Sequence, residues 1–494
     1  MKKIEELKNE FRKISRYGHA IALIGWDLET GAPKKAVEKR AEVLGELSSY
    51  AFELSISEKI GKLIEESEKE ELNEDDKALI RIVKKEYEKS KKIPPELMRE
   101  FSIVTSNAQA AWEKARKEKD FNVFKPHLEK VVELTKKMAD IIGYKENRYD
   151  ALLDMYEPGL TVKDLNEIIK TLKDELVPFV SKLLNEGKKP NDSFMKGHFD
   201  NKKQENLSYV VLDKMGYDLE SGRMDVAVHP FTTTIGPNDV RITTRYREDD
   251  FRDSFYSTVH EGGHALYEQG ISEKYSDLPI GEAASMAIHE SQSRFWENIV
   301  GRSLGFWKNF YPEVQKEFEQ FKDVSVEDFY KAVNVVEKSL IRVDADEVTY
   351  NLHVMLRYEI EEALINDRIK VEDLPKIWNQ KTKEYFGIEP KDDVEGVLQD
   401  VHWSHGSFGY FPSYMLGNLY SAQLYYKLKE EINFEEKLET GDFKEVLNWL
   451  RTNVHQYGSK YEPQDLIEKI TGERLNPQYF MKYLKEKYSK IYNI

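Results

Sequence analysis

The sequence contains no cysteine among its 494 residues. This absence excludes disulfide bonds, thiol catalysis, CxxC redox chemistry and every zinc or iron–sulfur site that needs a cysteine ligand. Any bound metal ion must therefore be held by histidine, aspartate or glutamate. The lack of cysteine, together with abundant lysine and glutamate, also fits a thermostable protein.

Long apolar segments and an excess of positive charge are missing as well. The N-terminal apolar run Ala20–Trp26 is too short for a signal core or a membrane span, and no later run reaches 18 uncharged apolar residues. We therefore expect a soluble, cytoplasmic protein with no membrane partner. The net charge of −16 disfavours general binding to nucleic acid, so we expect no nucleic-acid partner.

Hydrophobic periodicity predicts a mainly α fold. Apolar residues recur at three- and four-residue steps through residues 1–185 and again after Asp250. The segment His229–Tyr246 differs, because it is rich in β-branched residues around a Gly-Pro-Asn-Asp turn, which predicts a β-hairpin or two short strands. Asn185–Asn201 and the Gly- and aromatic-rich His405–Gly417 are predicted as loops.

We predict one integrated catalytic domain over residues 1–494. Within it, residues 1–200 form a helical N-terminal half, and residues 201–494 form a catalytic half that carries a metal site. No internal repeat or low-complexity tract interrupts this arrangement.

The segment SFYSTVHEGGHALYEQG carries the clearest chemical signal. His260 and His264 are four residues apart, so on a helix they lie one turn apart on the same face and can bind one cation. Glu261 follows the first histidine, where its carboxylate can act as general base on a water activated by the metal. Gly262 and Gly263 each cost a helix about 1 kcal/mol relative to alanine. They therefore indicate that another helix or a substrate approaches closely.

A zinc site with two histidines needs a third protein ligand. The segment MAIHESQSRFW offers Glu290 and, next to it, His289. A glutamate on a following helix gives the two-His, one-Glu arrangement of thermolysin-like catalytic sites. Arg294, one turn after Glu290, can orient that carboxylate. An ordinary surface Glu–Arg pair is the alternative.

Beyond the metal motif, the sequence resembles the thermostable carboxypeptidase Taq family of metallocarboxypeptidases. The resemblance is carried by five blocks in family order, with Trp26–Thr30 as a further matching feature near the N-terminus. The five blocks are His229–Phe231, Asp239–Thr243, His260–His264, His289–Gln292 and Gly396–Trp403.

The resemblance implies an enzyme that removes single residues from peptide C-termini with broad side-chain tolerance. It implies one Zn²⁺ or Co²⁺ per chain, held by His260, His264 and Glu290, with Glu261 as catalytic base. It also implies a homodimer and a helical, cleft-bearing fold similar to neurolysin, with the small sheet beside the active site.

A carboxypeptidase needs a cation for the substrate's terminal carboxylate, and arginine suits this role because its fork pairs bidentately. The resemblance assigns this role to Arg342, although Asp344, Asp346 and Glu347 lie close by in the sequence and can simply neutralise it. It also assigns a substrate-contacting tyrosine to Tyr414, which we take as the donor to the developing oxyanion.

Four further residues are candidates for substrate contacts. Arg241 lies on the predicted strand, where a peptide can add along the edge; the alternative is a charged edge that discourages aggregation. His229 is either a cleft residue or a structural histidine. His402 can pair with Asp400 behind or at the substrate, and His405 is a second donor candidate.

The sequence thus predicts a metallocarboxypeptidase acting on peptides with a free C-terminus. Two alternatives remain open. One is an oligopeptidase or endopeptidase of the same fold, and the other is a non-catalytic, metal-containing peptide-binding protein.

Overall fold

The computed structural model describes residues 2–494. The described chain is mainly α-helical with one small sheet, which confirms the predicted fold class. In chain order the α-helices are α1 (Lys3–Thr30), α2 (Val37–Ser55), α3 (Glu58–Ser67), α4 (Glu74–Lys92), α5 (Pro95–Glu118), α6 (Phe121–Ile142), α7 (Arg148–Leu153), α8 (Val162–Glu186), α9 (Asn201–Met215), α10 (Phe251–Glu268), α11 (Met286–Arg294), α12 (Leu304–Glu317), α13 (Val326–Ala332), α14 (Tyr350–Ile365), α15 (Leu374–Phe386), α16 (Phe411–Glu431), α17 (Phe434–Thr440), α18 (Phe443–Asn453), α19 (Pro463–Thr471) and α20 (Gln478–Tyr492).

The chain forms two compact units, and three separate chain segments build each one. The first unit consists of the residues up to Ser90, Asn191–Val333 and Leu424–Arg474. The second consists of Lys91–Pro190, Asn334–Gln423 and Leu475–Ile494. The boundaries between the units do not coincide with the two predicted halves. That the whole chain is one integrated catalytic domain stays a prediction.

The sheet belongs to the first unit and has three strands: β1 (Met224–Val226), β2 (Thr232–Gly236) and β3 (Asp239–Thr244). β3 lies in the middle, parallel to β1 and antiparallel to β2. β2 and β3 form the predicted hairpin, whose turn contains Asn238 at a φ of 59°. Asparagine tolerates this left-handed conformation better than most residues. The parallel β1 was not predicted.

Two helices of the first unit carry the metal motif. α10 begins after Asp250, whose side chain accepts a hydrogen bond from the Arg252 backbone N–H. α11 begins after Ser285, which caps it in the same way. The N-terminal part of α10 packs in an aromatic cluster that fixes its position; the cluster consists of Phe199, Phe251, Phe255, Trp307, Phe318, Phe321 and Phe329.

The predicted loop at 405–417 is wrong in its second half. α16 begins at Phe411, so Tyr414 lies on a helix. Pro412 does not prevent this, because the first turn of a helix needs no backbone N–H there. The predicted loop at 185–201 corresponds to residues 187–200 between α8 and α9, which contain one short 3₁₀ turn, Ser193–Met195.

Among residues 2–494, no helix is both long enough and apolar enough to cross a membrane.

Candidate active site and metal centre

Three side chains of the first unit converge in the way a metal centre requires. His260 and His264 on α10 both direct Nε2 at Oε2 of Glu290 on α11, at 3.6 and 3.3 Å. One ligand atom from each residue lies within 4.8 Å of the others. The Glu290 side chain is buried, so its charge needs compensation. The structure therefore brings the three predicted ligands together.

The donor set fits a divalent cation of zinc-like size. With metal–ligand bonds of 2.0–2.2 Å, neighbouring ligand atoms of a tetrahedral site lie about 3.4 Å apart, which agrees with the two observed separations. The charges agree as well. Among the contacts of the described residues, Glu290 pairs with Arg294 and Glu297 with Arg294 and Arg302, whereas Glu261 and Glu268 have a hydroxyl and an imidazole as partners.

His260 is oriented by a carboxylate that the sequence analysis missed. Its Nδ1–H donates to Oε2 of Glu297 at 2.8 Å. Glu297 lies in a π-helical turn, Phe295–Val300, that continues α11, a feature frequent at functional sites. Arg294 donates to both Glu290 (2.7 Å) and Glu297 (3.0 Å). Burial raises the pKa of Glu297, but Arg294 and His260 outweigh this and lower it to about 2.

His264 has a different kind of partner. Its Nδ1 is hydrogen-bonded to Nδ1 of His289, and Nε2 of His289 lies 2.8 Å from Oε1 of Glu268. The residue considered as an alternative ligand therefore lies behind His264 and outside the ligand cluster. Burial lowers the pKa of His264 to about 3. A neutral imidazole is the form that binds metal.

Glu261 is not part of the ligand cluster and has a hydrogen-bond partner of its own. The Thr232 hydroxyl on β2 donates to Glu261 Oε2 at 2.6 Å. Burial raises the pKa of this carboxyl group, as suits a base that must hold a proton during a reaction. The sheet thus lies directly against the helix that carries the metal motif.

Close packing between α10 and α11 explains Gly263, one of the two glycines that lower the helix stability of α10. A Cβ atom at this position would lie 2.7 Å from Ser293 Cα and 2.8 Å from the Gln292 carbonyl oxygen. Both atoms belong to the backbone of α11. The missing side chain therefore lets α10 and α11 approach until Glu290 reaches the two histidines.

A second charged cluster lies in the second unit, around Asp400. Arg342 donates from Nε and Nη2 to Asp400 Oδ1 (3.0 and 2.7 Å), and Arg357 donates from Nε to Oδ2 (2.7 Å). Both guanidinium groups are buried. Arg342 Nη1 also donates to the Tyr350 hydroxyl at 2.8 Å. Gln399 Oε1 accepts from the Arg342 backbone N–H and from Arg357 Nη2.

Asp400 is therefore a carboxylate paired with Arg342, whereas Asp346 and Glu347, which are nearer in sequence, have other partners. Asp346 accepts hydrogen bonds from Val348 and Thr349, and Glu347 is paired with Lys487. Since two guanidinium groups share one carboxylate, the buried cluster keeps one excess positive charge. His402 does not add to it, because burial lowers its pKa to about 3.

Tyr414 and His402 lie together in the second unit. His402 Nε2 is 3.2 Å from the Tyr414 hydroxyl, and the Arg342 guanidinium lies 4.9 Å from the centre of the Tyr414 ring. His405 is exposed at the end of a 3₁₀ turn, His402–His405. Asp400 binds the two arginines, so the predicted Asp400–His402 pairing has no hydrogen bond among those observed.

The strand residues predicted to contact substrate are placed differently. Arg241 on β3 pairs bidentately with Asp239, both contacts being 2.7 Å, and lies 5.6 Å from the Trp26 ring. Its charge is therefore already compensated. His229 is exposed in the loop before β2. Phe231 meets Trp26 edge-on at 5.5 Å, which joins two of the family-like blocks.

Several site residues escaped the sequence analysis although weak signals existed. Thr232 and Thr234 alternate on β2, as residues on one face of a strand do. Glu268 follows His264 by one helical turn, and Glu297 follows Arg294 by three residues. Arg357 had no signal, because its partner Asp400 is 43 residues away.

Fold and site together match a class of protein: helical metallopeptidases with an HEXXH helix and a glutamate on a following helix. The chain matches the model of the Carboxypeptidase Taq (M32) metallopeptidase family over residues 6–488, and it belongs to this family. As a member, it is a metallocarboxypeptidase.

Known relatives match over almost the whole chain. Carboxypeptidase 1 of Bacillus subtilis (strain 168) is 46% identical over 492 residues, covering 99% of this chain and 98% of that protein. Thermostable carboxypeptidase 1 of Pyrococcus furiosus is 42% identical over 489 residues, covering 98% of each. A solved structure of M32 carboxypeptidase from Deinococcus radiodurans R1 superposes with a TM-score of 0.97 at 36% identity, covering 100% of both chains.

Proposed function

We propose that this enzyme removes single amino acids from the free C-terminus of peptides, with broad side-chain tolerance and with one zinc or cobalt ion per chain. The convergence of His260, His264 and Glu290 beside the separately held Glu261 carries the proposal. Three protein ligands leave a fourth position open, as in catalytic zinc sites, whereas structural sites are closed by a fourth protein ligand.

A bound divalent ion supplies Lewis acidity, because it polarises the scissile carbonyl and makes a nearby water more acidic. The proton is handled by Glu261. Since Thr232 donates to Oε2, we assign Oε1 to the proton: it accepts the proton from the attacking water and passes it to the departing amide nitrogen. The peptide C–N bond breaks, and a free amino acid and a shortened peptide result.

Arg342 is our candidate for the group that reads the terminal carboxylate. Asp400 occupies the side of its guanidinium formed by Nε and Nη2, while the cluster keeps one positive charge that a substrate carboxylate can neutralise. Burial of this charge makes pairing with an anion stronger than at the surface. Asp400 and Arg357 fix the orientation of Arg342.

Tyr414 is our candidate for the hydrogen-bond donor to the oxyanion. His402, whose Nε2 lies 3.2 Å from the Tyr414 oxygen, orients that hydroxyl group. His229, Arg241 and His405 stay predictions as substrate contacts, and the compensated charge of Arg241 favours a structural role for it. The homodimer, the cytoplasmic location and thermostability also stay predictions.

The test uses one mixed-sequence peptide in two forms, with a free C-terminus and as the C-terminal amide. Timed mass spectrometry should show a ladder of single-residue losses from the free form only. The ladder should stop with a chelator and return with Zn²⁺ or Co²⁺. Internal cuts in both forms would establish an oligopeptidase instead. Absence of metal-dependent cleavage, with metal bound, would indicate a peptide-binding protein.

Arg342→Lys tests the assigned residue. The change keeps a positive charge and removes the planar fork, so kcat/KM on the free peptide should fall about 10–100-fold. The preference for the free acid over the amide should fall with it, which general damage to the fold does not produce. Arg247→Lys is the matched control, since the exposed Arg247 pairs with the exposed Asp249 at the surface. An unchanged acid-to-amide preference in Arg342→Lys refutes the assignment.

A further inference from the structure

The two histidines of the candidate metal centre are supported unequally. Nδ1 of His260 is hydrogen-bonded directly to the Glu297 carboxylate. Behind His264, a second imidazole lies between the ligand and the carboxylate: His264 Nδ1 contacts His289 Nδ1, and His289 Nε2 contacts Glu268 Oε1. The chain Glu268–His289–His264 is not required by the HEXXH motif.

The hydrogen atoms in this chain have only one arrangement that suits metal binding. His264 must keep a lone pair on Nε2, so its Nδ1 carries the hydrogen and donates. His289 Nδ1 must then accept, which places the His289 hydrogen on Nε2. That N–H donates to Oε1 of the Glu268 carboxyl group. The carboxylate therefore selects the tautomer of His289, and His289 selects the tautomer of His264.

Glu268 is itself held by the sheet. The Thr234 hydroxyl on β2 donates to Glu268 Oε2 at 3.0 Å, two residues after Thr232, which holds Glu261. Thr232 and Thr234 lie on the same face of β2 because side chains alternate along a strand. Glu261 and Glu268 lie two turns apart on the same face of α10. β2 therefore orients both Glu261, the candidate base, and Glu268, the last residue of the His264–His289–Glu268 chain.

We propose that His289 and Glu268 are positioning residues for metal binding, and that they act through His264. Together they hold the His264 ring and its tautomer so that Nε2 is presented to the ion. Their removal should weaken metal affinity by about 10–100-fold, as for other partners of metal-ligating histidines. This inference rests on the metal centre of the proposed function.

The test measures Zn²⁺ affinity of the full-length protein by competition with a chelating dye. His289→Phe retains a ring but no acceptor, and affinity should fall about 10–100-fold. His289→Asn places an acceptor oxygen near the position of Nδ1 and should recover part of the loss. Glu268→Gln should fall between the wild type and His289→Phe, because the amide oxygen still accepts but carries no charge. His198→Phe is the control, since His198 is exposed and far along the chain from the ligands.

Thermal unfolding of the metal-free variants checks the fold separately from the metal. Wild-type affinity in both His289→Phe and Glu268→Gln overturns the proposal, and so does a loss in His289→Phe that His289→Asn does not reduce. Failure of the wild type to bind any divalent metal, or equal binding by Glu290→Gln and the wild type, would instead refute the metal centre itself. The two failures are therefore distinguishable.

Discussion

Gly262 and Gly263 are adjacent on α10, but their substitution by alanine should affect the protein very differently. At Gly263 a Cβ atom would meet backbone atoms of α11, Ser293 Cα at 2.7 Å and Gln292 O at 2.8 Å. At Gly262 it would meet the ends of flexible side chains, Leu212 Cδ2 at 3.0 Å and Met215 Cε at 3.1 Å. Side-chain ends can move by a few tenths of an ångström, whereas α11 must shift as a whole.

The two effects can be compared as free energies of unfolding. Replacing a helical glycine with alanine stabilises a helix by about 1 kcal/mol. Forcing an extra methyl group into a packed contact costs about 1–3 kcal/mol, and contact with backbone places Gly263 at the upper end. Gly263→Ala should therefore destabilise the protein by about 1–2 kcal/mol, while Gly262→Ala should lie within about 0.5 kcal/mol of the wild type.

The Zn²⁺ affinities of the two variants should differ in the same way as their stabilities. A shift of α11 away from α10 moves Glu290 from His260 and His264, so Zn²⁺ affinity of Gly263→Ala should fall about tenfold or more, equivalent to about 1.4 kcal/mol. Urea unfolding of the metal-free proteins and chelator competition measure the two quantities. The reasoning is refuted if Gly263→Ala keeps wild-type stability and affinity, or if Gly262→Ala loses as much as Gly263→Ala.

Two further predictions follow from the same contacts. Glu261→Gln should bind Zn²⁺ within a few-fold of the wild type but lose about 10²–10⁴ in cleavage rate, because the amide cannot accept the proton; a retained rate contradicts the base assignment. Asp75 gives a pH prediction: burial raises its pKa, but hydrogen bonds from Lys274 and Lys460 outweigh this and lower it to about 2. The ionised Asp75 carboxylate therefore stabilises the folded protein above pH 4, and this contribution is lost as the pH falls towards 2. Asp75→Asn should therefore destabilise the chelator-treated protein at pH 7 by less than about 2 kcal/mol, and the gap should shrink between pH 4 and 2; a constant gap argues against ion pairing.

The sequence alone was sufficient wherever a pattern repeats within a few residues. The 3.6-residue period predicted the helices, and the β-branched segment with its turn predicted the β2–β3 hairpin. The i, i+4 spacing of His260 and His264 places them on one helix face without any knowledge of the fold. Glu290 needed more than spacing: on the residues alone His289 competed for the ligand role, and the family resemblance decided the choice.

Side-chain contacts between residues far apart in the sequence were decided by the tertiary structure. Glu297 reaches His260 through a π-helical turn, and His289 reaches His264 only because α10 and α11 pack closely at Gly263. Asp400 lies 58 residues from Arg342 and 43 from Arg357, so spacing offered only the nearer acidic residues as candidate partners. Local periodicity specifies which face of a helix a side chain occupies. It does not specify which other element that face meets, because that depends on the packing of the whole core.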